Sequence, residues 1–260
     1  MRETDAEDLS LIIAAAEAAG EIACRHHGAA PKTWDKGDGQ GPVTEADLEV
    51  DALLKERLTA ARPGYGWLSE ESAGGPDRLT SPRQFIVDPI DGTRAFIEGG
   101  RDWSHSIAVA EGGRIVAAAV FVPMRDALYS AGLNGGAAVG GTPLQVSDES
   151  RLGRANVLAN RPSMAAEHWA GGEVPPVKRH FRSSLAYRLC LVAQGRFDAM
   201  LTLRPTWEWD VAAGSLIVEE AGGTVSDRTG GRPEFNRAVP QIDGIVAAGA
   251  VHGGLMAALA

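Results

Sequence analysis

Two aspartates three positions apart, Asp88 and Asp91, directly follow an apolar run in this sequence. Pro89 removes a backbone donor between them and stiffens the turn, so that both carboxylates can converge where the run ends. Two close carboxylates repel each other, and a hard cation with oxygen ligands such as Mg²⁺ suits them. Gly92 and Thr93 would open a short helix, whose free N–H groups can hold a phosphate. A solvated turn at Asp91-Gly92 is the structural alternative, and this stretch alone favours neither.

Further acidic residues lie at the ends of other predicted elements. Glu70 and Glu71 follow a second short apolar run, although pairs of glutamates are also common on surfaces. Asp210 opens a helix, where an Asp is usually an N-cap, but the helix dipole there also favours the ionised carboxylate that a metal needs. Thr44 and Asp47 fit a capping-box pattern, and a catalytic role for Asp47 stays open beside it.

Hydrophobic spacing predicts the elements that must position these residues. It predicts helices over residues 8–28 (with Asp8 as N-cap), 45–61, 184–194 and 210–221. Alternation and turn residues predict strands over 67–69, 85–87, 104–110, 114–122, 127–131, 137–139, 156–159, 197–202, 224–226 and 245–248.

The pattern of elements changes near Pro143. Helices and an antiparallel meander precede it, whereas strands alternate with helices after it, which is typical of an α/β arrangement. We therefore predict two regions that share a cleft. Residues 1–143 carry most of the acidic ligands on helices and an antiparallel sheet, and residues 144–260 supply Asp210 and substrate contacts.

Composition limits the partners of this 260-residue chain. A net charge of -9 disfavours nucleic-acid binding, because proteins that bind nucleic acids usually present a basic face. No apolar run approaches the ~18–20 residues of a membrane span, so a membrane role is not expected and the cytoplasm is the expected location. Cys24 and Cys190 are predicted to be reduced core residues. A homodimer remains an open alternative.

Several motifs, in this order, resemble the inositol monophosphatase family. They are P-V-T-E-A-D at 42–47, S-E-E-S at 69–72, D-P-I-D-G-T at 88–93, W-D-V-A-A-G at 209–214 and E-A-G-G at 220–223. The resemblance runs from Lys36 to Gly223. It implies an α+β fold, a layered α-β-α-β-α sandwich, and a Mg²⁺-dependent phosphatase acting on a small phosphorylated metabolite.

The resemblance also implies roles for individual residues. The metal ligands would be Glu70, Asp88, Asp91, Asp210 and the carbonyl oxygen of Ile90. Thr93 and Glu70 would orient the attacking water, with Asp47 behind Thr93, and the amides of Gly92 and Thr93 would hold the phosphate. Two or three Mg²⁺ ions are expected, with Mn²⁺ as a substitute and Li⁺ or Ca²⁺ as inhibitors.

The substrate is less narrowly indicated. Ser183 and Ser184 fall where the family has substrate contacts, whereas Leu203 and Trp207 replace the Glu and His that grip ring hydroxyls in animal inositol phosphatases. The segments 204–210 and 41–44 resemble the bacterial 3'(2'),5'-bisphosphate nucleotidase branch, although Ala95 does not, and Trp207 could stack on a purine. We therefore predict a modest preference for 3'-phosphoadenosine 5'-phosphate over myo-inositol monophosphate.

Other activities remain as alternatives. Within the family these are inositol-1-monophosphatase and histidinol or sugar phosphatase. Outside it are a catalytically dead metal- or phosphate-binding paralogue and a two-metal nuclease, the last disfavoured because the chain lacks a basic groove.

Overall fold

The computed structural model describes residues 1–37, 41–72 and 74–260. Within them the chain forms six α-helices: α1 (Glu3–His26), α2 (Glu45–Ala61), α3 (Thr93–Ile97), α4 (Leu185–Ala193), α5 (Glu208–Glu220) and α6 (His252–Ala258). No helix of these ranges is long and apolar enough to cross a bilayer.

Fourteen strands form in the same ranges. They are β1 (Thr33–Asp35), β2 (Pro42–Thr44), β3 (Gly66–Ser69), β4 (Arg83–Asp91), β5 (Ser104–Glu111), β6 (Arg114–Val122), β7 (Ala127–Gly132), β8 (Ala137–Val139), β9 (Thr142–Pro143), β10 (Asn156–Ala159), β11 (Lys178–His180), β12 (Ala199–Trp207), β13 (Thr224–Ser226) and β14 (Gln241–Ala248).

These strands assemble into one large sheet, one smaller sheet and a two-stranded ribbon of β1 and β2. The seven-stranded sheet has the order β3-β4-β5-β6-β7-β8-β9 and is antiparallel except for the β3–β4 pair. The five-stranded sheet has the order β11-β10-β12-β14-β13 and mixes parallel with antiparallel pairs. The predicted meander is thereby confirmed.

Three hydrophobic cores separate the layers. Because successive strand residues point to opposite faces, Phe85 and Val87 of β4 pack in the core with α1 and α2, whereas Ile86 packs in the core that contains α4 and α5. That central core also contains Met200 of β12, and the other face of the smaller sheet packs with Leu255 of α6. The order of layers is therefore helix, sheet, helix, sheet, helix, which confirms the predicted α+β sandwich.

The large sheet ends at Pro143, where the predicted regions 1–143 and 144–260 divide. The helices of the second region nevertheless fill the central core with residues of both sheets. The division of the chain into regions 1–143 and 144–260 stays a prediction.

Two details of α1 correct the sequence-based expectations. The helix begins at Glu3, and Asp8 is buried within it rather than capping it; the Asp8 carboxylate accepts hydrogen bonds from Arg62, Tyr65 and Arg83. Cys190 is buried as predicted, but Cys24 is exposed because it lies outside the buried stripe of α1. Sequence spacing did not reveal the two arginines whose charges allow the Asp8 carboxylate to be buried.

Candidate active site

Three carboxylates converge where β4 meets the start of α5. One oxygen from each of Asp88, Asp91 and Asp210 lies within 4.8 Å of the other two. The pairing of β4 with β5 is irregular between Asp88 and Asp91, and such an irregularity redirects side chains at a strand end. We refer to Asp88, Asp91 and Asp210 as the acidic triad.

Asp210 enters the triad from the first turn of α5. The N-cap of this helix is Trp207, and no side chain makes a capping hydrogen bond there, so Asp210 is not the cap. The neighbouring Glu208 is buried and accepts hydrogen bonds from the amides of Asn236 (2.6 Å) and Arg237 (2.9 Å). These bonds tie the start of α5 to the loop before β14 and so help to fix Asp210.

Asp91 is held by the start of α4. Its Oδ2 accepts hydrogen bonds from Ser184 Oγ at 2.6 Å and from the Ala186 amide at 2.7 Å. Ser184 is also the N-cap of α4, accepting from the Tyr187 amide at 2.9 Å. Ser184 is fully buried. Its hydroxyl therefore supports Asp91 from behind the cleft.

A buried histidine supports the bend between Asp88 and Asp91. His105 Nδ1 is hydrogen-bonded to the carbonyl oxygen of Pro89, which lies in that bend. Burial lowers the pKa of His105 to about 4, so the ring is neutral near pH 7. The sequence analysis missed this residue, because nothing in its neighbourhood along the chain marks it as a partner of Pro89.

The triad concentrates buried carboxylates whose mutual repulsion a cation would relieve. Burial, and then the charges of Glu70, Asp91 and Asp210, raise the pKa of Asp88 well above its usual range. Burial and the Asp91 charge likewise raise the pKa of Asp210, and burial raises the pKa of Asp91 to about 6. Asp88 Oδ1 is buried and has no hydrogen-bond partner in the described part of the chain.

These features fit a hard divalent cation. Ionised carboxylates that are buried need a positive charge nearby, and an oxygen donor set is what Mg²⁺ prefers. The unpartnered Asp88 oxygen inside the triad can serve as a metal ligand. The donor set and its burial therefore match the expected Mg²⁺ site.

Glu70 lies beside the triad but has a different partner. Its amide bonds to the Val87 carbonyl, which places it next to β4, while its carboxylate accepts from Lys36 Nζ at 2.8 Å. Lys36 also bonds to Glu71 at 2.5 Å, and burial raises the pKa of Glu71 to about 7. The sequence analysis did not pair Lys36 with these acids.

Thr93 and Asp47 approach each other as the motifs suggested. Thr93 Oγ1 donates toward the Ile90 carbonyl oxygen at 3.1 Å and lies 3.5 Å from Asp47 Oδ1. Asp47 Oδ2 accepts from the amide (2.8 Å) and hydroxyl (2.5 Å) of Thr44, which completes the capping box of α2. Burial raises the pKa of Asp47 to about 6. One carboxylate thus caps a helix and faces Thr93.

The triad opens into a cleft of about 990 Å³. The residues of the predicted substrate site that line this cleft are Gly92, Thr93, Ser183 and Trp207, whereas Ser184 lies behind it. Gly92 has a left-handed φ of 97°, and a Cβ there would lie 3.1 Å from the Asp102 carbonyl oxygen, so the position requires glycine.

Two positions noted for the substrate have distinct environments. Trp207 stacks on Trp209, with ring centroids 4.8 Å apart and planes inclined by 8°. Leu203 is 3% exposed and packs in the core on the α6 side of the smaller sheet. Leu203 therefore does not line the cleft.

Comparison with known proteins covers nearly the whole chain. The sequence profile of the inositol monophosphatase family matches residues 5–260. An inositol-1-monophosphatase of Mesorhizobium japonicum is 34% identical over 239 residues, which is 86% of each chain. The structure of the extragenic suppressor protein suhB of Bartonella henselae matches with a TM-score of 0.82 and 29% identity, covering 96% of this chain and 97% of that one. An IMPase of Thermotoga maritima matches with a TM-score of 0.82 and 25% identity, covering 96% and 95%.

Proposed function

The chain belongs to the inositol monophosphatase family and is a phosphoric monoester hydrolase; from that premise we propose how its acidic cleft acts and which substrate it takes. The triad carboxylates would hold Mg²⁺ together with Glu70 and the carbonyl oxygen of Ile90. The observation that carries this assignment is the buried, unpartnered Oδ1 of Asp88 in the triad. Mg²⁺ bound there supplies charge neutralisation for the phosphoryl group and activation of a water nucleophile.

Two of the ligand positions are compatible with this assignment after small changes. The Glu70 carboxylate, now paired with Lys36, would exchange that ion pair for the metal. The Ile90 carbonyl oxygen accepts one hydrogen bond, from Thr93, and a carbonyl oxygen has a second lone pair available. Glu70 already lies near the triad, since its charge raises the pKa of Asp88.

The chain's own groups position the water and the phosphate. Thr93 Oγ1 and Glu70 would orient the attacking water. The Thr93 hydroxyl would turn its proton from the Ile90 carbonyl to Asp47 Oδ1, 3.5 Å away, and would take up the water's proton as its own passes to Asp47. The water oxygen bonds to phosphorus while the ester P–O bond breaks, and the leaving alkoxide takes a proton from solvent. The amides of Gly92 and Thr93 donate to the phosphoryl oxygens.

Metal-dependent turnover of a generic monoester tests this activity. Phosphate release from p-nitrophenyl phosphate is expected in Mg²⁺ and is expected to stop when EDTA exceeds the metal. No turnover in Mg²⁺ would identify a binding paralogue instead. Cleavage of oligonucleotides would favour the nuclease alternative.

The substrate is proposed to be 3'-phosphoadenosine 5'-phosphate, with a modest preference over inositol 1-phosphate. A carboxylate that grips ring hydroxyls is missing at position 203, where Leu203 is turned into the core. The exposed part of Trp207 lies on the cleft and supports stacking on a purine, since one ring face is already fixed by Trp209. The cleft volume of about 990 Å³ accommodates a nucleotide.

Inositol 1-phosphate is the second candidate, because the relative from Mesorhizobium japonicum is an inositol-1-monophosphatase. Comparing kcat/KM for both compounds, histidinol phosphate and fructose 1,6-bisphosphate in one Mg²⁺ buffer separates them. A site that hydrogen-bonds hydroxyls discriminates by ~10⁴–10⁵, far more than apolar contacts do. A preference for inositol 1-phosphate above about a hundredfold would therefore refute the nucleotide proposal.

The cytoplasmic location and the homodimer stay predictions.

A further inference from the structure

Three arginines in the wall of the cleft, Arg94, Arg188 and Arg204, have no acidic partner in the described residues. Of these, Arg188 and Arg204 are the pair whose charges act on each other. Arg188 and Arg204 both line the cleft, and neither has a carboxylate within 4.0 Å in residues 1–37, 41–72 and 74–260. Arg78 lines the same cleft but is committed to the loop before β14, donating to Asn236 Oδ1 at 2.6 Å and to the Arg237 carbonyl at 2.7 Å. Arg188 and Arg204 therefore differ from Arg78 in having charge available.

Arg188 is held rigidly with one donor atom free. It is 4% exposed, its Nε donates to the Arg182 carbonyl at 2.6 Å, and its guanidinium lies 4.5 Å from the centroid of the Phe181 ring. Its Nη1 has no hydrogen-bond partner within the described residues. Burial lowers the pKa of Arg188 to about 10, which leaves it charged near pH 7 and in need of an anion.

Arg204 is the exposed member of the pair. It lies on β12, and its guanidinium makes no hydrogen bond to the described part of the chain. Arg188, Arg204 and Asp210 line the same cleft, and the charge of Arg204 lowers the pKa of the other two. Two neighbouring guanidinium groups repel each other, and a multivalent oxyanion between them converts that repulsion into charge-assisted hydrogen bonds.

We propose that Arg188 and Arg204 form a second anion subsite, so that the preferred substrates are phosphomonoesters carrying a second phosphoryl group away from the scissile one. This inference rests on the proposed phosphatase function of the same cleft. The triad carboxylates, which partly balance the two arginines, are committed to Mg²⁺ in that function. The second phosphoryl group of the substrate then supplies the balancing charge.

A matched pair of nucleotides isolates the second phosphate. 3'-Phosphoadenosine 5'-phosphate and adenosine 3'-monophosphate share the scissile 3'-ester and differ only at the 5'-position. With Mg²⁺ in excess over nucleotide, the wild-type kcat/KM is expected to favour the bisphosphate by about tenfold to a hundredfold, the range expected for hydrogen bonds to charged groups. Arg204→Met is expected to lose most of that ratio. Arg57→Met, at an exposed arginine of α2 that lines no part of the cleft, serves as the matched control and keeps the ratio.

Two kinetic outcomes would overturn the subsite. In one, Arg204→Met lowers kcat/KM equally for both nucleotides, which would make the arginine a counter-charge for the triad only. In the other, the wild type does not distinguish the nucleotides. Arg188→Lys repeats the test if circular dichroism shows that it folds; Arg204 is exposed, so its variant does not depend on that condition.

A binding measurement separates failure of the subsite from failure of the phosphatase function. Calorimetric titration compares adenosine 5'-monophosphate with adenosine on the wild type and on Arg204→Met. The subsite predicts at least about tenfold tighter binding of the monophosphate to the wild type, lost in the variant. If neither nucleotide is hydrolysed but this difference persists, the subsite stands and the proposed reaction fails. Equal affinity of adenosine and its 5'-monophosphate for the wild type would refute the subsite.

Discussion

Replacing Asp88 by Asn tests the acidic triad with two opposite effects in one variant. Asn keeps the shape of the side chain but removes its charge. In the metal-free protein, this relieves repulsion among the three carboxylates, whose oxygens lie within 4.8 Å of one another. With Mg²⁺, the same change removes a proposed metal ligand. We therefore expect a more stable but inactive protein.

The size of the stability gain follows from the geometry. Two unit charges at that separation repel by roughly 3.5 kcal/mol at an effective dielectric constant near 20. The repulsion cannot destabilise the fold by more than it would cost to keep Asp88 protonated. Keeping one proton bound costs about 1.4 kcal/mol for each pH unit above the ordinary Asp pKa, which is about 6 kcal/mol at pH 8. We expect metal-free Asp88→Asn to gain about 3 kcal/mol at pH 8, and to melt roughly 6–12 °C higher.

The dependence on pH has a defined sign. The folded, metal-free triad holds protons more tightly than the unfolded chain, because the pKa of Asp88 is raised. Stability is therefore greatest below the ordinary Asp pKa of 3.8 and is lost as pH rises through the folded value. The advantage of the variant over the wild type should grow from pH 4 to pH 8.

Thermal melts with EDTA or Mg²⁺, together with phosphate release, make the measurement. Mg²⁺ at a hundred times its Kd should stabilise the wild type by about 2.7 kcal/mol and the variant much less. Turnover should fall by several orders of magnitude, since a metal contact contributes several kcal/mol and about 1.4 kcal/mol is a factor of ten. Asp148→Asn, at an exposed position outside the cleft, is the matched control. A metal-free variant that melts at or below the wild type, or one that keeps near wild-type turnover, would refute the reasoning.

Four other substitutions test separate groups of the site. Thr93→Ala should lower turnover far more than melting temperature, because it removes the hydroxyl that we propose orients the water. Asp47→Asn should do the same if its carboxylate assists Thr93, whereas a pure cap would cost roughly 1 kcal/mol of stability and leave turnover per folded molecule unchanged; measuring both quantities decides. His105 is neutral when folded, with a pKa of about 4 against an ordinary 6.5, so stability should fall by roughly 3 kcal/mol as pH drops from 6.5 to 4. Urea midpoints should show a flatter pH dependence for His105→Gln, and an unchanged slope would contradict the neutral buried ring. Trp207→Ala should weaken activity on 3'-phosphoadenosine 5'-phosphate more than on inositol 1-phosphate, and an equal loss would make Trp207 a packing residue.

Local sequence was sufficient where the interacting groups are close along the chain. The motif at 88–93 predicted an acidic strand end followed by a helix, and the structure has β4 ending at Asp91 and α3 beginning at Thr93. The capping box of Thr44 and Asp47 was also predicted, and both of its hydrogen bonds form. Caps, turns and strand alternation depend on backbone geometry over a few residues, so residue types at fixed spacing are enough to predict them.

Only the tertiary structure brought the distant groups of the site together. His105 meets Pro89, Lys36 meets Glu70, and Ser184 braces Asp91 through packing between elements far apart in sequence. The raised pKa values of the triad likewise depend on burial and on charges contributed by other strands and helices.

The sequence by itself therefore determined the family, the layered fold and the residue types of the proposed metal site. The tertiary structure decided which groups become neighbours. Leu203 packs in a hydrophobic core, the buried Asp8 is paired with Arg83, and Arg188 is fixed in the wall of the cleft by the Arg182 carbonyl. The physical reason is that desolvation and Coulomb interaction act through space. Their strength at a residue is set by which elements pack against it, and a short stretch of sequence does not contain that information.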